Sequence, residues 1–426
     1  MKKSMTGAFA LSHVLALAAA AALLAGSATA DLTSATLVPT GHRHKMKWVP
    51  ALLRPAVNGS PQFGDPLPGL NAAQMAAFEG GREEFESVET PEGGLGPIFN
   101  NSSCAACHSA GATGGASAIM VTRFGRRLAD GSFDPLTAKG GTLLHEFAID
   151  PAAREFVPAE ANVVAKRITT PLFGAGLIEA IPDATITLNA LLPFKPDGIK
   201  GRAAIITDVV SGQQRVGHFG WKAQHASLLG FAADAYLNEM GVTSRFFPKD
   251  VAPNGNQALL ALYDKVPDIE DAPDPITGKS DIDKSSDFII LLGPPPPLRL
   301  TASAVQGSAL FLQMNCGTCH TPVMFTGASK IAALFFKPVP LYSDLLLHDM
   351  GSLGDGIVQG PAGAREMKTA PLWGLRARGP FLHDGRAKTV GDAIHRHDGE
   401  AAASRARYDK LNAAQKQQLL DFLMSI

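Results

Sequence analysis

Cys104-Ala105-Ala106-Cys107-His108 and Cys316-Gly317-Thr318-Cys319-His320 are the two stretches on which the reading of this chain turns. Between them they hold all four cysteines of the 426 residues. C-x-x-C-H is the attachment pattern of c-type haem. Two thiols three positions apart can each add to one vinyl group of the same porphyrin, and the adjacent imidazole then sits beneath the iron as proximal ligand. A zinc or thiol-redox pair also uses C-x-x-C, but neither requires the trailing histidine twice. The expectation is two covalent haems c, attached through Cys104, Cys107, Cys316 and Cys319 and ligated by His108 and His320. No thiol is then left for a disulfide.

Flanking segments agree with this. Residues 303–315 place Leu310, Phe311 and Met314 on one helical face, with Ser303 as N-cap, and residues 411–426 place Leu419, Leu420, Leu423 and Ile426 near one face as a closing helix. Residues 70–88 are helical in pattern ahead of the first motif. At the amino end, Lys2 and Lys3 precede an apolar stretch that finishes at Ala28-Thr29-Ala30, which reads as a cleaved export signal over residues 1–30. An uncleaved anchor is the competing reading, and no other stretch is apolar enough to span a bilayer. Lys plus Arg number 38 against 39 Asp plus Glu, so no basic surface recruits nucleic acid. Gly 43 and Pro 30 lie above the usual share of roughly 12% and predict long loops.

The chain also repeats itself. Thr169-Thr170-Pro171-Leu172-Phe173-Gly174 matches Thr369-Ala370-Pro371-Leu372-Trp373-Gly374, and each copy follows a haem motif. Residues 251–297 read as a polar, proline-closed junction, with a short helix at 287–292 ending the first half. The expected fold is mainly α: an extension over 31–69, an N-terminal haem domain over 70–298 and a C-terminal cytochrome c domain over 299–426. The first domain is enlarged by β-containing insertions such as LLHEFAID (143–150) and AAIITDVV (203–210).

With these motifs in hand, the chain resembles the bacterial di-haem cytochrome c peroxidase and methylamine-utilisation superfamily, in the branch labelled di-haem oxidoreductase. The segments that carry the likeness are the two haem motifs, RITTPLFGAGLIEAIPDATI from Arg167, FGWKAQHASLLGFAADAYLNEMG from Phe219, YSDLLLHDMG from Tyr342 and PLWGLRARGPFLHDGRAKT from Pro371. They span most of residues 70–426.

The resemblance implies a periplasmic oxidoreductase of peroxidase type. Hydrogen peroxide reacts at the first haem, the second relays electrons, and a small cytochrome or copper protein is the donor. It implies Trp221 between the haems and Glu239, in E-M-G, over the open face of the first. Beside these stand plainer readings: a large core tryptophan and a solvated glutamate. The family's methionine ligand to the second haem falls at His397, with His348, Met350 and His395 as rivals for that place. For the first haem, His145, His218 or an open position remain. His383 is expected to hydrogen-bond rather than ligate, and Arg123 and Arg126 to face haem propionates or water. A structural calcium is an open option, although Ile168 stands where the family has Asn. Two further functions stay in view: haem-dependent oxidation of an organic or protein substrate, and electron carriage without catalysis.

Overall fold

Asn71 starts the first helix, Ala72–Glu86, by accepting a hydrogen bond from the Gln74 amide at 2.9 Å while the Gln74 side chain caps Asn71 in return. Phe78, Gly81 and Phe85 form its buried face and pack on helix Asp281–Leu291. Gly81 is required by that packing: a Cβ there would lie 2.3 Å from the Lys284 carbonyl oxygen. A second pair, Ala302–Gln313 against Ala413–Leu423, uses the same device, since a Cβ on Gly307 would come within 1.9 Å of the Gln418 carbonyl oxygen. This computed structural model describes residues 61–426, and Phe63–Ile426 form one compact unit. The export signal expected at 1–30 lies outside the described residues, as do His42 and His44.

Two expectations change here. The cap of Ala302–Gln313 is Thr301, which receives the Ala304 amide, and Ser303 instead hydrogen-bonds Asp421 on the partner helix. The helix foreseen at 287–292 begins at Asp281, inside the stretch read as a junction. Its polar letters mislead because Ser285 and Ser286 are buried, and Ser285 exchanges a 2.9 Å hydrogen bond with the Tyr236 hydroxyl. A buried serine with a partner costs little, so this helix packs despite its composition.

Strands gather in the insertion after the first motif. Met120–Arg127 pairs antiparallel with Phe133–Asp134, Leu143–Leu144 and Val163–Ile168. The apolar run expected at 143–150 divides. Leu143–Leu144 joins this sheet, while Phe147–Ala148 pairs with Ile98–Phe99, which leads into the first haem motif. Ile205–Thr207 forms a hairpin with Gln214–Val216. Among the described residues no helix is long and apolar enough to cross a membrane.

The internal repeat is carried into the backbone. His108 Nδ1 donates to the Gly115 carbonyl and His320 Nδ1 to the Tyr342 carbonyl, each at 3.0 Å. In each half the carbonyl one residue earlier, Gly114 or Leu341, accepts the amide of the repeat leucine, Leu172 at 2.8 Å or Leu372 at 2.9 Å. Gly174 and Gly374 both take a left-handed conformation with φ +70°, and each starts a short helix. Farther on, Phe219 and Phe381 bridge to His225 and Ala387. Ser227 and Thr389 then cap helices Leu228–Ala235 and Val390–His395 at the same offset.

Candidate functional site

Helix Ala302–Gln313 ends at Met314, and left-handed Asn315 turns the chain into the second motif. The His320 ring faces His397, their centroids 6.4 Å apart and their planes tilted by 59°. His397 Nδ1 donates to the Ala393 carbonyl at 2.8 Å. With Nδ1 committed on both rings, each Nε2 keeps its lone pair for a metal. Burial holds both imidazoles in the neutral form that ligation needs, lowering His320 to about 4 and His397 in the same direction. Two metal–nitrogen bonds of about 2 Å each, plus about 1 Å from each nitrogen to its ring centre, separate two centroids by roughly 6 Å. The observed spacing fits one iron between them.

Around this pair lies an apolar cavity lined by Phe311, Cys316, Cys319, Leu372, Phe381 and Leu423, with about 1550 Å³ of empty space including its mouth. Three cations sit on its wall, Arg405, Lys368 and Arg378, and burial pulls the last two down to about 8 and about 10. Arg378 Nε has no partner among the described residues. An apolar slot, two thiols, opposed imidazoles and two buried cations for two carboxylates suit a haem.

Two rivals to His397, His348 and Met350, line the same cavity. His348 is held on both nitrogens, by Asp344 at 2.9 Å and Glu400 at 2.7 Å. Burial alone would lower it, but its hydrogen bonds to Asp344, Cys319 and Glu400 prevail and push it up to about 12. His395 is exposed and pairs with Asp409 at 2.8 Å, and Met350 is part of the cavity wall.

In the first half, Cys104–Cys107 forms one helical turn and His108 follows it, lowered to about 4 by burial. Glu239 lies on a widened π turn, Tyr236–Met240, that extends helix Leu228–Ala235. Its carbonyl accepts the amides of Asn100 at 2.8 Å and Asn101 at 3.1 Å. Its carboxylate accepts Asn100 Nδ2 at 2.9 Å, and Asn101 Nδ2 lies 3.8 Å from Cys107 Sγ. The glutamate is therefore tied to the loop that enters the haem motif and is not a solvated helix residue. Burial raises its pKa, opposed in part by Arg123, the Asn100 amide and His145. Its charge adds to the burial that pushes the Cys107 thiol up to about 11.

The repeat makes the two halves comparable residue by residue. At the offset that relates Ser227 to Thr389, the counterpart of His397 is Ala235. The helix that brings an imidazole to the second centre thus brings only a methyl group to the first, and Glu239 follows one turn later. Of the other histidines, His218 is buried with Nε2 3.5 Å from Asp183, and His225 is 3.3 Å from Asp234. His145 is paired to Glu155 at 2.7 Å.

Trp221 donates from Nε1 to the Ile168 carbonyl at 2.9 Å and meets His383 edge-on, with ring centroids 6.2 Å apart. It lines both the second cavity and a smaller cleft where the repeat segments Thr170–Phe173 and Ala370–Trp373 face each other. His383 is buried, and its carbonyl accepts the Ile168 amide at 2.7 Å.

The groups beside Trp221 do not fit calcium. Lys222 Nζ lies 2.9 Å and an Arg167 guanidinium nitrogen 2.8 Å from the same carboxylate, Asp355, all fully or nearly buried. With two cations already there, the Ile168 side chain apolar and its carbonyl accepting from Trp221, a divalent ion would meet repulsion at this place. Asp355→Asn should strand both cations and lower stability by about 3–5 kcal/mol, read as a fall in the urea midpoint. Neither this ion cluster nor the His145–Glu155 pair is visible in the sequence pattern, because the partners are distant in the chain or share no motif.

Residues 157–426 match the family model described as "Di-haem oxidoreductase, putative peroxidase". Solved structures similar to the chain include three. Hydrazine synthase of Kuenenia stuttgartiensis is 15% identical with a TM-score of 0.40, covering 93% of this chain and 100% of that one. A MauG-like protein associated with microbial copper homeostasis is 15% identical with a TM-score of 0.42, covering 89% and 95%. A variant of the diheme peroxidase BthA from Burkholderia thailandensis is 13% identical with a TM-score of 0.36, covering 86% and 90%. No curated protein sequence matches it. On the family match, which covers well over half of its length, the chain belongs to the di-haem oxidoreductase family.

Proposed function

We propose that this protein is an exported, periplasmic peroxidase-like enzyme with two covalent haems c, one in each of the segments 70–298 and 299–426. Hydrogen peroxide is its substrate at the Cys104–His108 centre, and a small cytochrome or cupredoxin supplies electrons through the His320–His397 centre. The observation that carries this reading is the asymmetry of the repeat. His397 stands opposite His320, while its counterpart Ala235 offers no ligand and leaves Glu239 as the nearby buried acid–base group.

Haem when bound supplies the one-electron redox chemistry and the O–O cleavage that no side chain here provides. The chain's own groups handle protons and position. Glu239, held by Asn100, accepts a proton from one peroxide oxygen and returns it to the other. His397 and His320 would hold the second haem, which would then carry electrons rather than react. Trp221, pinned by the Ile168 carbonyl, sits on the wall of the second cavity on the way to the first half. Two electrons and two protons convert each peroxide to water.

The test mixes purified protein, reduced by one electron, with hydrogen peroxide. Peroxidase function predicts a fast spectral change and turnover with a reduced cytochrome or copper protein, and the absence of both would sink it. Ala235→His gives a sharper check. Supplying the missing imidazole should abolish cyanide and CO binding at the first centre, together with turnover, and leave the second centre's spectrum unchanged.

A further inference from the structure

Two buried nitrogens near Glu239 have no hydrogen-bond partner among the described residues: Nε of Arg123 and Nε2 of His145. Strand register explains how they come together. Arg123 pairs with Leu143 in the short strand Leu143–Leu144, and the chain leaves that strand directly into His145. The chain then passes Asn100, whose Oδ1 accepts the Glu146 amide at 3.0 Å while its Nδ2 donates to Glu239 at 2.9 Å. Arg123 and His145 both act electrostatically on Glu239.

The His145 ring is fixed in direction. Its Nδ1 donates to Glu155 Oε2 at 2.7 Å, its own amide donates to the same oxygen at 2.9 Å, and Glu155 Oε1 takes the Asn254 amide at 2.7 Å. Both side chains are almost wholly buried, at 1% and 2% exposure. A proton committed at Nδ1 leaves a lone pair at Nε2, which makes that nitrogen a base.

We propose that Arg123 and His145, the latter oriented by Glu155, form with Glu239 a binding site for a small protic ligand and its conjugate anion at the Cys104–His108 centre. The inference rests on the reading of that centre as the open one and adds which groups deal with charge. The H–X bond of the entering ligand breaks, the proton passes to His145 Nε2, and the electron pair stays on X⁻, which the Arg123 guanidinium holds. No electron is transferred in this step. Cyanide and fluoride are the probes of this class, binding without turnover, whereas the proton of peroxide goes to Glu239.

The experiment uses the full haem-loaded protein in the ferric state and follows the first haem's absorbance during fluoride and cyanide additions. Arg123→Gln should weaken fluoride by about tenfold to a hundredfold, the effect of losing one charged hydrogen bond, and Arg123→Lys should restore part of it. His145→Gln should slow cyanide association, because hydrogen cyanide must lose its proton to bind, while fluoride affinity changes little. Arg123 is only half-buried, so its variants test the site even if the His145 variant fails to fold. Fluoride affinity in Arg123→Gln within twofold of the native protein would overturn the inference alone. A native protein that binds neither anion would overturn it together with the open-centre reading.

Discussion

Glu239→Gln should slow peroxide turnover by about 10²-fold or more, the usual loss when a general acid–base group is removed. Glutamine keeps the size and can still accept the 2.9 Å hydrogen bond from Asn100 Nδ2, so the loop into the haem motif stays in place. What it lacks is a proton to give and a charge to take one. Burial raises the Glu239 pKa, so the carboxylate that accepts the first proton is depleted at higher pH than an exposed glutamate would be. Native turnover should therefore fall as pH drops through that raised value, and the variant should be slow and lack this limb. Stopped-flow measurements of peroxide-driven spectral change against pH check both points. A variant as fast as the native protein would remove Glu239 from the chemistry.

His397→Ala should open the second centre. The 6.4 Å opposition of two neutral imidazoles makes a closed, low-spin iron the expected native state there. Loss of one of them should produce a high-spin signal and CO binding at the second haem. His397→Met should keep the iron closed but raise its midpoint potential by a sizeable part of the ~0.8 V range that axial ligands span, because methionine raises a haem potential relative to histidine. Redox titration with optical detection measures the shift. If His397→Ala retained its low-spin spectrum and potential, another residue would have to be the ligand.

The two C-x-x-C-H motifs were legible because they are contiguous letters: two thiols and an imidazole meant for one porphyrin edge cannot be spread through the chain. The closing helix, Ala413–Leu423, was legible through its apolar period, as was the helix before each motif. Asp281–Leu291 was missed because its buried face includes serines, and only the structure shows Tyr236 meeting Ser285. The cap at Thr301 was missed by two residues, since Thr301 and Ser303 are both competent caps and the choice depends on Asp421, from another helix. The His145–Glu155 pair and the Lys222–Asp355–Arg167 cluster join residues without shared periodicity, some more than a hundred positions apart. The sheet that sets Arg123 opposite Leu143, just before His145, required a register that no single strand announces.

The edge-on contact of Trp221 with His383 joins counterparts, for these residues stand at the offset that relates Ser227 to Thr389. In a two-fold arrangement, a position meets its own counterpart only where the rotation axis passes. An approximate dyad therefore runs through this ring pair. What breaks that symmetry is the exchange of one imidazole for one methyl group, His397 against Ala235.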